Sequence, residues 1–68
     1  MANGVIQFGK KLREVRLKRK LSQGDIARIL GVHRSYISGL ERGRRNPSLL
    51  TVQKVAKALN VNPKDLIS

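Results

Sequence analysis

Residues 33–47, HRSYISGLERGRRNP, contain four arginines, whose guanidinium groups carry the clearest recognition chemistry in this sequence. Arg34 lies near the start of the stretch, and Arg42, Arg44 and Arg45 lie near its end. A guanidinium group donates paired hydrogen bonds to phosphate oxygens and to O6 and N7 of guanine. This pattern indicates the binding of an anionic surface.

Residues suited to catalysis or metal binding are few. The sequence has one histidine, four carboxylates, no cysteine and no glycine-rich phosphate loop. The carboxylates are scattered along the chain, at Glu14, Asp25, Glu41 and Asp65. Acid–base catalysis and metal binding need such groups at close spacing. We therefore expect no catalytic residue, no metal site and no cofactor, and the sequence does not favour an enzyme.

The chain is strongly basic. Its 68 residues include 15 lysines and arginines against 4 acidic residues, which gives a formal net charge of +11. A compact domain with this charge attracts polyanions, with nucleic acid as the first candidate and an anionic membrane surface as the second. The basic residues are spread over several segments rather than along one amphipathic face, which disfavours the membrane. No apolar run approaches ~20 residues and no secretory signal is apparent, so we expect a cytoplasmic protein.

Glycine, proline and capping residues divide the sequence into five segments with helical apolar spacing, and no stretch alternates as a strand would. We expect helices at about 5–19, 22–31, 34–42, 48–59 and 62–67. Ser22 and Asp25 have the spacing of a capping box, while Gly31 and Gly43 suit helix ends. The prediction is one compact all-α domain of five helices over residues 1–68.

The strongest pattern covers residues 23–42, where two short helices meet at the glycine-containing turn LGV. Positions of the motif are counted from Gln23. The fifth position must be small because the two helices pass closest there, and it is Ala27. The ninth must tolerate a positive φ, and it is Gly31. Five more positions must be apolar to seal the angle between the helices: Ile26, Leu30, Val32, Ile37 and Leu40. All these demands are met, so we predict a helix-turn-helix motif, formed by the second and third helices.

The stretch LSQGDIARILGVHRSYISGLERGRRNPSLLTVQKVAKALNV resembles the Xre-type, phage-repressor-like family of helix-turn-helix domains. The resemblance runs over about residues 8–67, and RSYISGLERGRRNPS is similar to the controller proteins of restriction–modification systems. It implies a five-helix fold that binds double-stranded operator DNA, usually as a symmetric dimer, with the second motif helix in the major groove. It also implies a structural ion pair between Arg16 and Glu41.

The geometry of the second motif helix and the resemblance together predict the DNA contacts. At 100° per residue, Ile37 and Leu40 point inward and short side chains point outward, which lets the helix enter a major groove ~12 Å wide. The predicted base contacts are Arg34, Ser35, Ser38, Gly39 and, by resemblance to controller proteins, Arg45. The predicted phosphate contacts are Ser22, Gln23, His33, Tyr36, Arg42, Arg44 and Asn46.

Some of these residues have a plainer interpretation. Arg34 could contact phosphate alone, since half to two-thirds of protein–DNA hydrogen bonds go to the backbone. The alternative for Gln23 is that it buttresses the second motif helix. His33 stands where the family usually has a capping Ser or Thr, and because histidine caps poorly we expect it to face solvent. Gly39 either brings the helix close to the groove floor or is a defect costing ~1 kcal/mol relative to alanine.

Oligomeric state follows from the size of the module. One module buries only ~600–1,000 Å² on DNA, so we expect a homodimer on a two-fold site. The final segment carries more apolar residues than a short helix buries alone. We therefore place the dimer interface at Leu50, Val61, Leu66 and Ile67. Leu17 is also off the core stripe, but a lone exposed leucine is ordinary and we assign it no role.

The functional hypothesis is a sequence-specific DNA-binding transcriptional regulator, a dimeric repressor or autoregulator associated with the nucleoid of a prokaryote or with a phage. The alternative is a protein-interaction module or antitoxin-like component with the same fold. Such a module would show apolar or acidic residues at 34, 35, 38 and 45, where this chain has arginine and serine. Activation of transcription would need a surface that contacts RNA polymerase, and no acidic patch stands out in the sequence.

Overall fold

The computed structural model describes residues 4–67, which form five α-helices and no strand. The helices are α1 (Gly4–Lys18), α2 (Gln23–Leu30), α3 (Arg34–Glu41), α4 (Leu49–Leu59) and α5 (Lys64–Ile67). The predicted all-α, five-helix architecture is therefore confirmed, with helix ends shifted by one or two residues. α1 packs against α3 and α5, and α2 packs against α3 and α4.

The helix ends form where the capping residues are. The Ser22 hydroxyl accepts from the backbone N–H of Asp25 at 2.9 Å, and the Asp25 carboxylate accepts from the backbone N–H of Ser22 at 2.7 Å. This capping box holds the pKa of the Asp25 carboxyl below its ordinary value, chiefly through the backbone hydrogen bond from Ser22. α2 ends at Gly31, whose φ of 71° is a left-handed conformation suited to glycine. The Ser48 hydroxyl caps α4 by accepting from the backbone N–H of Thr51 at 3.1 Å.

The inward stripes of all five helices meet in one core. Its buried members are Phe8, Leu12, Ile26, Ala27, Ile37, Leu40, Val52, Val55, Ala56, Leu59 and Leu66. Leu30, expected to seal the angle between the motif helices, lies half-buried against this core. Val32 was expected there too, but it is 37% exposed and is not part of the buried core.

A close approach at Gly9 sets the distance between α1 and α3. A Cβ atom at this position would clash with the backbone oxygen of Leu40 and would lie 2.8 Å from that of Glu41. Backbone atoms at a helix end cannot move aside cheaply, so only glycine fits. Gly9 therefore lets the last turn of α3 rest directly on α1.

The carboxyl-terminal helix corrects part of the predicted dimer surface. Leu66 is fully buried in the core, because α5 folds back onto α1. Leu66 is therefore a core residue and not an interface residue. Val61 is half-buried against the same core, whereas Leu50 and Ile67 are each more than half exposed. Over residues 4–67, no helix is long and apolar enough to span a bilayer.

Candidate nucleic-acid interface

All five residues predicted to contact bases line one shallow groove on the outer side of α3. The groove is bordered by Arg34, Ser35, Ser38, Gly39, Arg42, Arg44 and Arg45. The opposite face of α3 is anchored by Ile37 and Leu40, both fully buried. The centre of the groove is made of serine and glycine, and arginines lie at both ends. A helix with this profile can approach an anionic surface closely while its guanidinium groups reach to either side.

Arg16 and Glu41 form a bidentate ion pair that joins α1 to the end of α3. The Nε of Arg16 lies 2.6 Å from Glu41 Oε2, and Nη2 lies 3.0 Å from Oε1. The remaining guanidinium nitrogen, Nη1, donates to the backbone oxygen of Leu21 at 2.9 Å. The side chains are only 10% and 4% exposed. The hydrogen bonds with Glu41 raise the pKa of Arg16 despite its burial. The pair holds α3 at a fixed angle to α1.

Gln23 extends this ion pair to the recognition surface. Its Nε2 donates to Glu41 Oε1 at 3.1 Å, and its Oε1 accepts from Arg34 Nη1 at 3.3 Å. The side-chain amide of Gln23 therefore buttresses α3, which was the alternative interpretation of this residue. Contact of Gln23 with phosphate stays a prediction. The result is a continuous chain of hydrogen bonds from Arg16 to Arg34.

His33 is exposed, as expected, but it also caps α3. Its Nδ1 accepts from the backbone N–H of Ser35 at 3.4 Å and lies 3.1 Å from the Ser35 hydroxyl. An imidazole nitrogen with a free lone pair can replace the oxygen of a serine cap. The length of the backbone bond makes this cap weaker than that of Ser22, where the equivalent distance is 2.9 Å.

Gly39 has a role that the sequence did not reveal. The side chain of Arg45 folds across it, and a Cβ at Gly39 would lie 2.8 Å from Arg45 Cγ. The guanidinium carbon of Arg45 then lies 5.6 Å from the centroid of the Tyr36 ring, within cation–π range. Tyr36 is tied to α4 by a hydrogen bond between its hydroxyl and that of Thr51, at 3.3 Å. Gly39 therefore leaves the space in which Arg45 is held.

The loop after α3 is folded back onto the helix. Gly43 adopts a φ of 72°, and the backbone N–H groups of Arg44 and Arg45 both point to the carbonyl oxygen of Gly39, at 2.9 and 3.3 Å. This turn brings the loop arginines beside the groove. Three of the residues predicted to contact phosphate are exposed around it: Arg42, Arg44 and Asn46. Ser22, also predicted to contact phosphate, uses its hydroxyl to cap α2.

The charges of this surface are uncompensated. Three of the four acidic residues form ion pairs elsewhere, Glu41 with Arg16, Glu14 with Lys18 and Asp25 with Arg28. Within residues 4–67, none of the four groove arginines forms an ion pair. The same residues contain no cluster of three or more side chains able to hold a metal ion. The groove is thus a positively charged surface with polar hydrogen-bonding groups at its centre.

Comparisons with known proteins agree with this geometry. A family model described as helix-turn-helix matches residues 12–66. The control protein C.BamHI of Bacillus amyloliquefaciens is 48% identical over 98% of this chain and 85% of its own length. The immunity repressor protein of Bacillus phage phi105 is 37% identical over 87% of this chain, which spans only 41% of that protein. The crystal structure of the restriction-modification controller protein C.AhdI from Aeromonas hydrophila superposes with a TM-score of 0.87, at 45% identity, covering 91% of this chain and 94% of that one.

Proposed function

The chain belongs to the helix-turn-helix family, and from this premise we propose that it is a sequence-specific regulator of transcription that binds double-stranded operator DNA. The observation that carries the proposal is the groove along α3, which brings unpaired arginines together around serine and glycine. On this proposal the protein acts by binding DNA. Its place of action is the cytoplasm, on the nucleoid.

The proposed complex places α3 in the major groove. Arg34 and Arg45 donate to base edges, with guanine as the preferred partner of a bidentate guanidinium group. Ser35 and Ser38 approach the bases between them, and Gly39 leaves the space across which the Arg45 side chain reaches. The hydrogen bond from Arg34 to Gln23 and the position of Arg45 over the Tyr36 ring support these roles, because each contact favours one direction of the guanidinium group.

Contacts with the phosphate backbone supply most of the affinity. Arg42, Arg44 and Asn46 are exposed beside the groove, and His33 and Ser22 lie at the starts of α3 and α2. The net charge of +11 adds long-range attraction to the DNA. Each neutralised phosphate releases a counterion, so the affinity should fall steeply as the salt concentration rises.

The regulator works as a homodimer and as a repressor or autoregulator. The names of similar proteins, control protein and immunity repressor, support this class of regulator. Because Leu66 is buried, we place the dimer interface at the exposed Leu50 and Ile67 with the half-buried Val61. Leu49, also exposed, adjoins Leu50 in the sequence. The two-fold axis would hold the two copies of α3 about one DNA turn, ~34 Å, apart. The surface of α3 does not favour a protein-interaction or antitoxin-like module, because it lacks apolar and acidic residues.

Selection of bound duplexes from a random pool tests the proposal directly. The full chain, immobilised through a carboxyl-terminal tag, should enrich a two-fold symmetric sequence whose half-sites are about 10 base pairs apart. A matched selection with Arg34→Ala and Arg45→Ala should yield no consensus at the corresponding positions. Failure of the unmodified protein to enrich any sequence above the starting pool would refute sequence-specific binding.

A further inference from the structure

A second groove lies between α2 and α4, apart from the recognition surface. It is lined by Ile29, Leu30, Lys54, Lys57 and Ala58 and has a volume of about 580 Å³. None of these residues borders the groove along α3. The helix-turn-helix pattern does not explain it, because Ile29 is not one of the motif positions that must be apolar. The side chain at this position is nevertheless an isoleucine that is 58% exposed.

The chemistry of this α2–α4 groove is apolar with a basic rim. Ile29, Leu30 and Ala58 provide an aliphatic surface, and Leu30 continues it into the core. Lys54 and Lys57 stand one helical turn apart on α4, on the exposed side. Neither lysine is paired with a carboxylate within residues 4–67. The groove can therefore bury apolar side chains and neutralise carboxylates at the same time.

We propose that the α2–α4 groove is a docking site for an acidic amphipathic helix of a partner protein. The apolar edge of such a helix lies on Ile29 and Ala58, as in other helix-in-groove complexes. Glutamates or aspartates one turn apart on its flank pair with Lys54 and Lys57. The two lysines and the carboxylates of the partner helix are each one helical turn apart, and this matching spacing orients the partner helix in the groove.

The charges of the groove disfavour two other occupants, a second copy of this chain and a nucleic acid. A second copy of this chain also carries +11, and three of its four carboxylates are already in ion pairs. Two copies meeting at this groove would place like charges together. A nucleic acid would satisfy the lysines but would leave the exposed surface of Ile29 against a charged backbone. An apolar and acidic protein segment satisfies both parts of the groove.

Docking at this groove leaves the recognition surface free, because the two share no residue. A regulator bound to DNA through α3 could therefore hold a partner at the same time. This inference stands on the α2–α4 groove alone and does not depend on the proposed DNA binding.

The test uses a designed, fluorescently labelled amphipathic peptide about 15 residues long, near the minimum for a stable helix. One face carries leucines at i, i+3, i+4 and i+7, and the flank carries glutamates. Fluorescence anisotropy against the full chain gives the affinity, and amide chemical shifts in an ¹⁵N spectrum locate the site. The variants are Ile29→Ser for the apolar surface and Lys54→Glu with Lys57→Glu for the rim. Lys10→Glu with Lys11→Glu on α1 is the control of equal charge.

The proposal predicts that chemical shifts change around Ile29, Lys54 and Lys57. Ile29→Ser and the Lys54/Lys57 pair of substitutions should each weaken binding about tenfold or more, while the Lys10/Lys11 control should change it far less. A peptide with lysines in place of glutamates should bind the Lys54/Lys57 variant better than the unmodified protein. Shifts centred on the arginines of α3, or equal losses for the rim and control variants, would show unspecific attraction to a basic protein and overturn the proposal. A change in sedimentation mass with Ile29→Ser would assign the groove to a second copy and also overturn it.

Discussion

Removal of the Glu41 carboxylate tests how the recognition helix is held in place. Glu41→Ala deletes the acceptor of two hydrogen bonds from Arg16 and one from Gln23. The Arg16 side chain is only 10% exposed, so its charge would be left largely buried and without a carboxylate partner. Loss of one partner from a buried ion pair destabilises a protein by ~3–5 kcal/mol, because the remaining charge stays desolvated.

This loss is large relative to the stability of the domain. At roughly 0.05–0.15 kcal/mol per residue, a chain of this length is stable by about 3–10 kcal/mol. One kcal/mol shifts the melting temperature of a small domain by ~4–8 °C, so Glu41→Ala should lower it by at least about 12 °C. Urea denaturation followed by far-ultraviolet circular dichroism gives the free energy of unfolding, and thermal melting gives the temperature.

Two variants make this test specific. Glu14→Ala removes the exposed pair with Lys18, in which the charged atoms lie 3.6 Å apart, and it should cost no more than about 0.5 kcal/mol. Arg16→Met combined with Glu41→Met removes both buried charges and should recover much of the stability lost in Glu41→Ala. If Glu41→Ala unfolds at the same urea concentration as Glu14→Ala, the ion pair does not hold α3 and our account of it is wrong.

Four further predictions concern the interface, the cap of α2 and the dimer. Arg34→Ala should weaken binding to the selected operator by ~1–3 kcal/mol and relax the preference at one base pair. Arg44→Ala should instead weaken cognate and scrambled duplexes alike and reduce the slope of log affinity against log salt concentration by about one. Equal effects of Arg34→Ala on both duplexes would rule out base readout. Gly39→Ala should displace Arg45 from the Tyr36 ring and reduce operator affinity with little loss of helix stability, and an unchanged affinity would show that the position of Arg45 is unimportant. Because folding lowers the pKa of Asp25, the capping box should stabilise the fold above pH ~4, and this stabilisation should disappear as the pH falls through the lower pKa of the folded state. Asp25→Asn should remove this contribution to the pH dependence of stability in urea titrations. Leu50→Glu or Ile67→Glu should lower the sedimentation mass and the operator affinity while leaving the melting temperature nearly unchanged. Leu66→Glu should instead unfold the domain, because Leu66 is buried. A full dimer mass in both surface variants would refute the interface.

Local rules were sufficient where a feature depends on neighbours in the sequence. The capping box at Ser22 and Asp25 and the left-handed end at Gly31 follow from the spacing of a few residues, and the structure contains both. The inward face of α3 follows from helical periodicity, which places Ile37 and Leu40 in the core. The ion pair of Arg16 came from the family resemblance, because a contact across 25 positions leaves no local pattern.

Features that depend on distant packing could not be predicted in this way. Periodicity shows that Leu66 is apolar but not that α5 folds back onto α1 and buries it. Gly9 is an ordinary helical glycine until the end of α3 is placed against it. The role of Gly39 likewise requires the path of the Arg45 side chain. In each case the missing information is which element covers a given face, and that is decided by tertiary packing.

The arrangement of the interface connects the stability of the fold to the recognition of DNA. At the start of α3, the hydrogen bonds from Arg16 through Glu41 and Gln23 reach Arg34. At its end, Arg45 is held on Tyr36, which is bonded in turn to α4. A side chain that is ordered before binding loses less conformational entropy in the complex, so more of its interaction energy appears as affinity. All four arginines are exposed, but the two proposed to contact bases have side-chain partners, Gln23 for Arg34 and the Tyr36 ring for Arg45. These partners suit the proposed role in base contact, because a base edge must be met at a fixed position.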